Sequence, residues 1–182
     1  MKKLLLLSVA AVVAFGATES YAQTAPSAGT AKADGTAKVA IVSGMTITAH
    51  DGVMNFGGFL SKEQSQEAIL GTDGNITGSA ATNKVTIDQN APKAGQFTIS
   101  GTPNTQFSIS TSDATLTDKG SKGGEKMTVT QYTYDFDGST TDGSNIVLKK
   151  ASAELKIGGT LTIGANQVAS NYDGAYTVTI KY

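Results

Sequence analysis

Ile157-Gly-Gly-Thr-Leu-Thr-Ile-Gly-Ala-Asn-Gln-Val-Ala-Ser-Asn-Tyr-Asp-Gly-Ala-Tyr-Thr-Val-Thr-Ile-Lys-Tyr182 closes the chain and decides its class. Leu155, Ile157, Leu161 and Ile163 share one phase. Tyr176, Val178, Ile180 and Tyr182 share another, with Thr177, Thr179 and Lys181 facing the other way. Strict alternation sends successive side chains to opposite faces of a sheet, one buried and one wet. The Gly- and Asn-containing segment between the two runs is turn chemistry. The stretch therefore predicts strand, turn, strand, a C-terminal hairpin.

The same period recurs upstream. Val39 to Ala49 alternates Val39, Ile41, Met45 and Ile47 around a weak Ser43-Gly44 middle, and predicts the first strand, ended by a turn at His50–Gly52. Val53 to Leu60 is a second apolar piece, stopped by Gly57-Gly58. Ser61 to Ala68 is polar and predicts at most one helical turn with Ser61 as N-cap. Gly71–Gly74 is a turn. Lys84 to Asp88, Gln96 to Ser100 and Thr105 to Ser110 then read as strands, the last two separated by a tight turn at Gly101–Asn104. A short piece around Leu116 precedes a charged, Gly-rich loop, Asp118 to Glu125. Met127 and Val129 open a longer strand in which Tyr132, Tyr134 and Phe136 hold the opposite parity. A switch of parity near Gln131 is what a bulge produces. Asp137 to Asn145 is a polar loop, and Ile146 and Leu148 open the next strand.

These runs amount to about nine to eleven short strands with no long helix, the pattern of an all-β sandwich or barrel. Their uneven lengths favour an antiparallel β-sandwich. Composition agrees: Gly is abundant at 21 residues, Pro is scarce at 3, and Trp is absent. Gly suits turns, while the many Thr residues suit half-exposed strand faces.

The beginning of the chain reads differently. Lys2 and Lys3 precede an apolar run, Leu4 to Phe15, too short and wrongly flanked for a membrane-spanning helix. Ser20-Tyr21-Ala22 places small residues where a signal peptidase reads. The expectation is a signal peptide over 1–22, cut after Ala22, and hence export to the periplasm, outer surface or medium. Gln23 to Lys38 has no bulky apolar residue and is expected to be a flexible leader. Residues 39–182 then form a single domain. It has no cysteine, so neither a disulfide framework nor a lipid-anchoring thiol is available. With 14 Lys and Arg against 15 Asp and Glu, no basic footprint for nucleic acid exists.

Several blocks resemble, in order, a bacterial family known as domain of unknown function 4402, close in style to spore-coat-U-like and fimbrial subunits. They are Met45-Thr-Ile-Thr48, Met54-Asn-Phe-Gly57, Gln96-Phe-Thr-Ile-Ser-Gly-Thr-Pro-Asn104 with Phe107-Ser-Ile-Ser110, Gly158-Gly-Thr-Leu-Thr-Ile-Gly-Ala-Asn-Gln167 and Gly174-Ala-Tyr-Thr-Val-Thr-Ile-Lys-Tyr182. The resemblance implies an Ig-like or pilin-like sandwich with a structural role at the cell surface, and supplies no catalytic or cofactor residues. Spore-coat-U-like subunits usually carry disulfides, and this chain cannot.

Candidate chemistry is sparse. Asp135, Asp137, Asp142 and Asn145 crowd one loop and offer oxygen ligands of the kind calcium takes, but the EF-hand spacing fails: Gly138 comes early, and Ile146 stands where a bidentate Glu belongs. The only histidine, His50, has no thiol to share a zinc site and no placed partner for a triad. Tyr132, Tyr134, Tyr172, Tyr176 and Tyr182 could build a sugar-stacking face, though alternation explains most of them as core and edge packing. The expectation is no catalytic, cofactor or metal residue and no enzyme. It is a structural or accessory subunit of a surface appendage or coat, with a carbohydrate- or protein-binding module as the alternative. Its expected partners are itself or other surface subunits, through β-strand pairing. Val39 to Ile47 could be the domain's own first strand or a donor to a neighbour. The short turn at His50–Gly52 favours the former.

Overall fold

A computed structural model describes residues 44–85, 91–120 and 124–182, so the expected signal peptide, leader and first residues of the domain lie outside the described residues. In chain order the strands are β1 (Thr46–Asp51), β2 (Gly58–Phe59), β3 (Gln66–Leu70) and β4 (Ile76–Thr77), then β5 (Lys84–Val85), β6 (Gly95–Ser100) and β7 (Thr105–Thr111). They continue with β8 (Ala114–Asp118), β9 (Lys126–Phe136), β10 (Ser139–Thr141) and β11 (Ile146–Leu148), and end with β12 (Ser152–Ile163), β13 (Tyr172–Asp173) and β14 (Val178–Lys181). One 3-10 turn, Ala81–Asn83, is the only helical element among the described residues.

β12 is the spine. One of its edges pairs antiparallel with β9. The other pairs first with β6, over Ser152–Ile157, and then with β3, over Gly159–Ile163. Around it grows a nine-stranded sheet in the order β1-β6-β12-β9-β8-β13, with β10 on β9 and the β3-β4 pair on β12. A three-stranded sheet, β11-β7-β14, lies against it, and β2 pairs with β5. The fold is an all-β antiparallel sandwich.

Leu155, Ile157, Leu161 and Ile163 are all buried on one face of β12, as their shared phase requires. β9 changes parity beside them: Gly158 pairs with Thr133 and Thr160 with Thr130, so Gly159 faces two residues, Gln131 and Tyr132. The bulge sets Gln131 at φ 50° and turns both Val129 and Tyr134 inward. Gly158 is a glycine because a Cβ there would overlap the Leu70 carbonyl oxygen.

Four expectations are corrected. β12 and β14 do not form a hairpin; β12 belongs to the large sheet and β14 pairs with β7 in the small one. Alternation fixed which faces they bury but not their partners. Ser61 to Ala68 forms no helical turn. Strand β3 begins within it at Gln66 and runs on to Leu70, with Gln66, Ala68 and Leu70 buried at period two. β1 does not stop before His50; it runs on to Asp51, with a register shift that leaves exposed His50 as the extra residue. The Asp137–Asn145 loop contains β10, joined to β9 through Asp137-Gly138 at φ 50° and 82°, the paired positive angles of a two-residue hairpin turn.

Two apolar cores follow from this layering. The first lies between the sheets: Ile99, Tyr134, Phe136, Leu155 and Ile157 from the large one meet Phe107, Ile109, Ile146 and Leu148 from the small one. Phe107 and Phe136 meet edge to face at 5.3 Å. The second gathers Ala68, Leu70, Ala114, Val129, Leu161 and Ile163 on the same large sheet, but Phe56 and Ala80, from outside the strands, cover it.

Candidate functional site

Two features stand out as places where another molecule could engage: the outer edge of β14 and a cleft beside the second core.

β14 alternates as its sequence dictates. Val178 and Ile180 turn inward and are half-buried, while Thr179 and Lys181 are exposed. β7 occupies one edge, from Val178 opposite Thr111 to Lys181 opposite Ser108. No strand occupies the other among the described residues. The Ser112 N–H donates to the Thr177 carbonyl at 3.0 Å, so the N–H and C=O groups of Val178 and Ile180 point away from β7, into the open edge. On the large sheet, Ile47 and Phe97 are also half-buried against the same core.

The cleft holds about 1130 Å³. Its floor is the sheet face at Leu116, Met127, Val129, Leu161 and Ile163, and its walls are the segments 52–61 and 167–176. Tyr132 and Tyr176 stack in it, with ring centres 6.2 Å apart and planes inclined by 26°. The Tyr176 hydroxyl donates to the Gly52 carbonyl at 2.6 Å, Tyr132 to Val129 at 3.3 Å and Tyr172 to Val168 at 2.7 Å. Each hydroxyl is thus committed to the protein's own backbone. Burial, then the neighbouring Tyr132 and the Asp51 charge, push the Tyr176 hydroxyl up to about 12. Tyr132 is raised too, first by burial and then by the Asp113 charge.

The structure divides the five tyrosines. Tyr132, Tyr172 and Tyr176 line the cleft. Tyr134 lies buried in the first core and donates to Thr111 at 3.1 Å. Tyr182 is exposed at the end of the chain. The cleft also needs Met54, Phe56 and Phe59, which in the sequence stand only as an apolar piece. The glycines interrupting that piece are the sign that it does not run as one continuous strand; only Gly58–Phe59 forms a strand, β2.

The aspartates of the 135–145 loop go separate ways. Asp135 accepts from the Gly138 N–H at 3.0 Å, and Asp137 pairs with Lys150 at 3.2 Å. Asp142 accepts from both the hydroxyl and the N–H of Ser144, which hold its carboxyl below the usual range. Asn145 accepts from the Gln106 amide at 2.9 Å. Among the described residues, no three His, Cys, Asp or Glu side chains are placed to hold a metal ion. No helix among them is long and apolar enough to cross a membrane.

No curated protein matches the chain. A family model does, over residues 45–182, a span that takes in every strand described above. The chain belongs to the family described as domain of unknown function (DUF4402).

Proposed function

We propose that the chain is an exported, non-enzymatic structural or accessory subunit of a bacterial surface appendage or coat, and that it associates through β-strand pairing. The open edge of β14, with its half-buried Val178 and Ile180, carries this reading. An unpaired strand with apolar residues on its inner face is a ready template for another strand. The signal-like residues 1–22 support export. Fractionation of the native cell, with antibody imaging of its surface and size-exclusion chromatography of the released protein, tests it. Surface labelling and multimers are expected. A monomer retained inside the cell with Met1 in place would contradict it.

The stacked Tyr132–Tyr176 pair favours a second reading, a surface-binding module that uses the cleft. Glycan-array binding by the purified protein, lost on Tyr132→Ala, is its expected result. No binding at high concentration would remove it.

A further inference from the structure

We infer that the cleft beside the second core is a site for a single long-chain fatty acid. This goes beyond the subunit reading and does not depend on it. It seats a hydrocarbon chain in the cleft in place of a sugar.

The floor gives the first reason. Leu116 on β8 lies opposite Met127 on β9, and Val129 on β9 lies opposite Leu161 on β12, so three adjacent strands share one apolar surface. Met54, Phe59, Leu116 and Met127 pack against the second core there and stay half-buried. The rim is apolar as well. Val53, which lines the cleft, is 66% exposed, and Leu60, between the lining residues Phe59 and Ser61, is 56% exposed. Contiguous apolar surface left open in this way marks a place where another molecule binds.

Hydrogen bonding selects the class of ligand. The floor strands are bonded to one another, so they offer an entering chain side chains alone. The outer edge of β8 is closed at Thr115, because its carbonyl oxygen lies where a Cβ on Gly174 would go. A peptide would therefore bury amides without partners. A sugar fares no better. Tyr132, Tyr172 and Tyr176 give their hydroxyl protons to backbone carbonyls. The Gln167 amide donates to Tyr172 at 3.0 Å and to Glu125 at 3.3 Å, and accepts from the Gly164 N–H at 3.2 Å. The Ser170 hydroxyl donates to Asp118. A chain that carries no hydrogen-bonding groups loses nothing by entering.

Charge places the head. Lys119 is the cation that lines the cleft, and it follows directly on β8. Its partner Asp173 stands 3.8 Å away, and both side chains are mostly exposed, so the pair holds weakly. A carboxylate can take the Lys119 ammonium at the mouth, with its chain laid inward over Leu116 and Met127. At about 1130 Å³ the cleft has room for one such molecule.

The test titrates the purified full chain with cis-parinaric acid, a fatty acid that fluoresces in apolar surroundings, and then with palmitate. Saturable binding at one site per chain, displaced by palmitate, is expected. Met127→Glu sets a charge on the floor and should weaken it about tenfold or more. Val53→Asp, at an exposed position that leaves the fold alone, should weaken it less, and it carries the test if Met127→Glu does not fold. Lys119→Ala should weaken palmitate about threefold and leave the uncharged hexadecanol unchanged. Binding that none of these variants alters would place the fatty acid elsewhere and overturn the inference. So would no binding, or attachment to phosphatidylglycerol vesicles without uptake of free fatty acid. Glycan binding lost on Tyr132→Ala would also overturn it and return the cleft to the sugar. Each of these outcomes leaves the subunit reading standing.

Discussion

The two halves of the large sheet share one spine and are covered in different ways. Before Gly158, β12 presents Leu155 and Ile157 to a second sheet, and both are fully buried among its Phe107, Ile109 and Leu148. Beyond Gly159, Leu161 and Ile163 keep the same phase but face Phe56 and the rim of a cleft of about 1130 Å³. Identical alternation therefore produces a closed sandwich at one end and an open one at the other. A strand's pattern states which face is apolar; what covers that face comes from chain far away in sequence.

The contrast should appear first in truncation. Leu155→Ala, at a site with no exposure, should cost about 3–5 kcal/mol, because two packed sheets cannot collapse into the void. Leu161→Ala, at the cleft, should cost less, about 2–3 kcal/mol, because loop residues and water can relax into the space. Urea unfolding of both variants checks the order, and equal losses would mean that the cleft side is as tightly held as the sandwich.

Tyr176→Phe sharpens the comparison within the open half. It removes the bond to Gly52, at about 1 kcal/mol. It should also remove a pH dependence. With the folded pKa raised to about 12, above the unfolded value of about 10, the neutral hydroxyl is the form the fold favours. Its contribution is intact below pH 10 and declines as pH rises towards 12. Unfolding curves between pH 8 and 11.5 should show that decline in the native chain and a shallower one in the variant.

The smallest effect concerns metal. Each carboxylate of the 135–145 loop is held by its own local partner, so calcium or a chelator should leave the melting temperature unchanged. A calcium-dependent rise would make Asp135, Asp137 and Asp142 the first residues to replace.

The sequence made some of this legible. The parity change from Val129 to Tyr132 announced the bulge, because inward positions on one strand can shift parity only by an extra residue. β6 and β7 were clear from Phe97 and Ile99, then Phe107 and Ile109. β3 is hidden in the sequence because its inward residues, Gln66, Ala68 and Leu70, include only one that is both bulky and apolar. The turn at Asp137-Gly138 was present as a dipeptide signal but hidden in a longer polar run. The β12–β14 hairpin was inferred from adjacency, and adjacency carries no information on pairing. The cleft was not legible at all: Phe56, Met127, Leu161 and Tyr176 meet only through the sheet order.

Val178 and Ile180 offer the most direct test of β14 as the joining edge. Amide hydrogen exchange should be followed residue by residue, in the dispersed chain and in its assembled form. The N–H groups of Val178 and Ile180, turned to the open edge, should exchange faster than those of Thr179 and Lys181 in the dispersed chain and become protected on assembly. Equal protection of all four in the dispersed chain, or no change on assembly, would contradict the account.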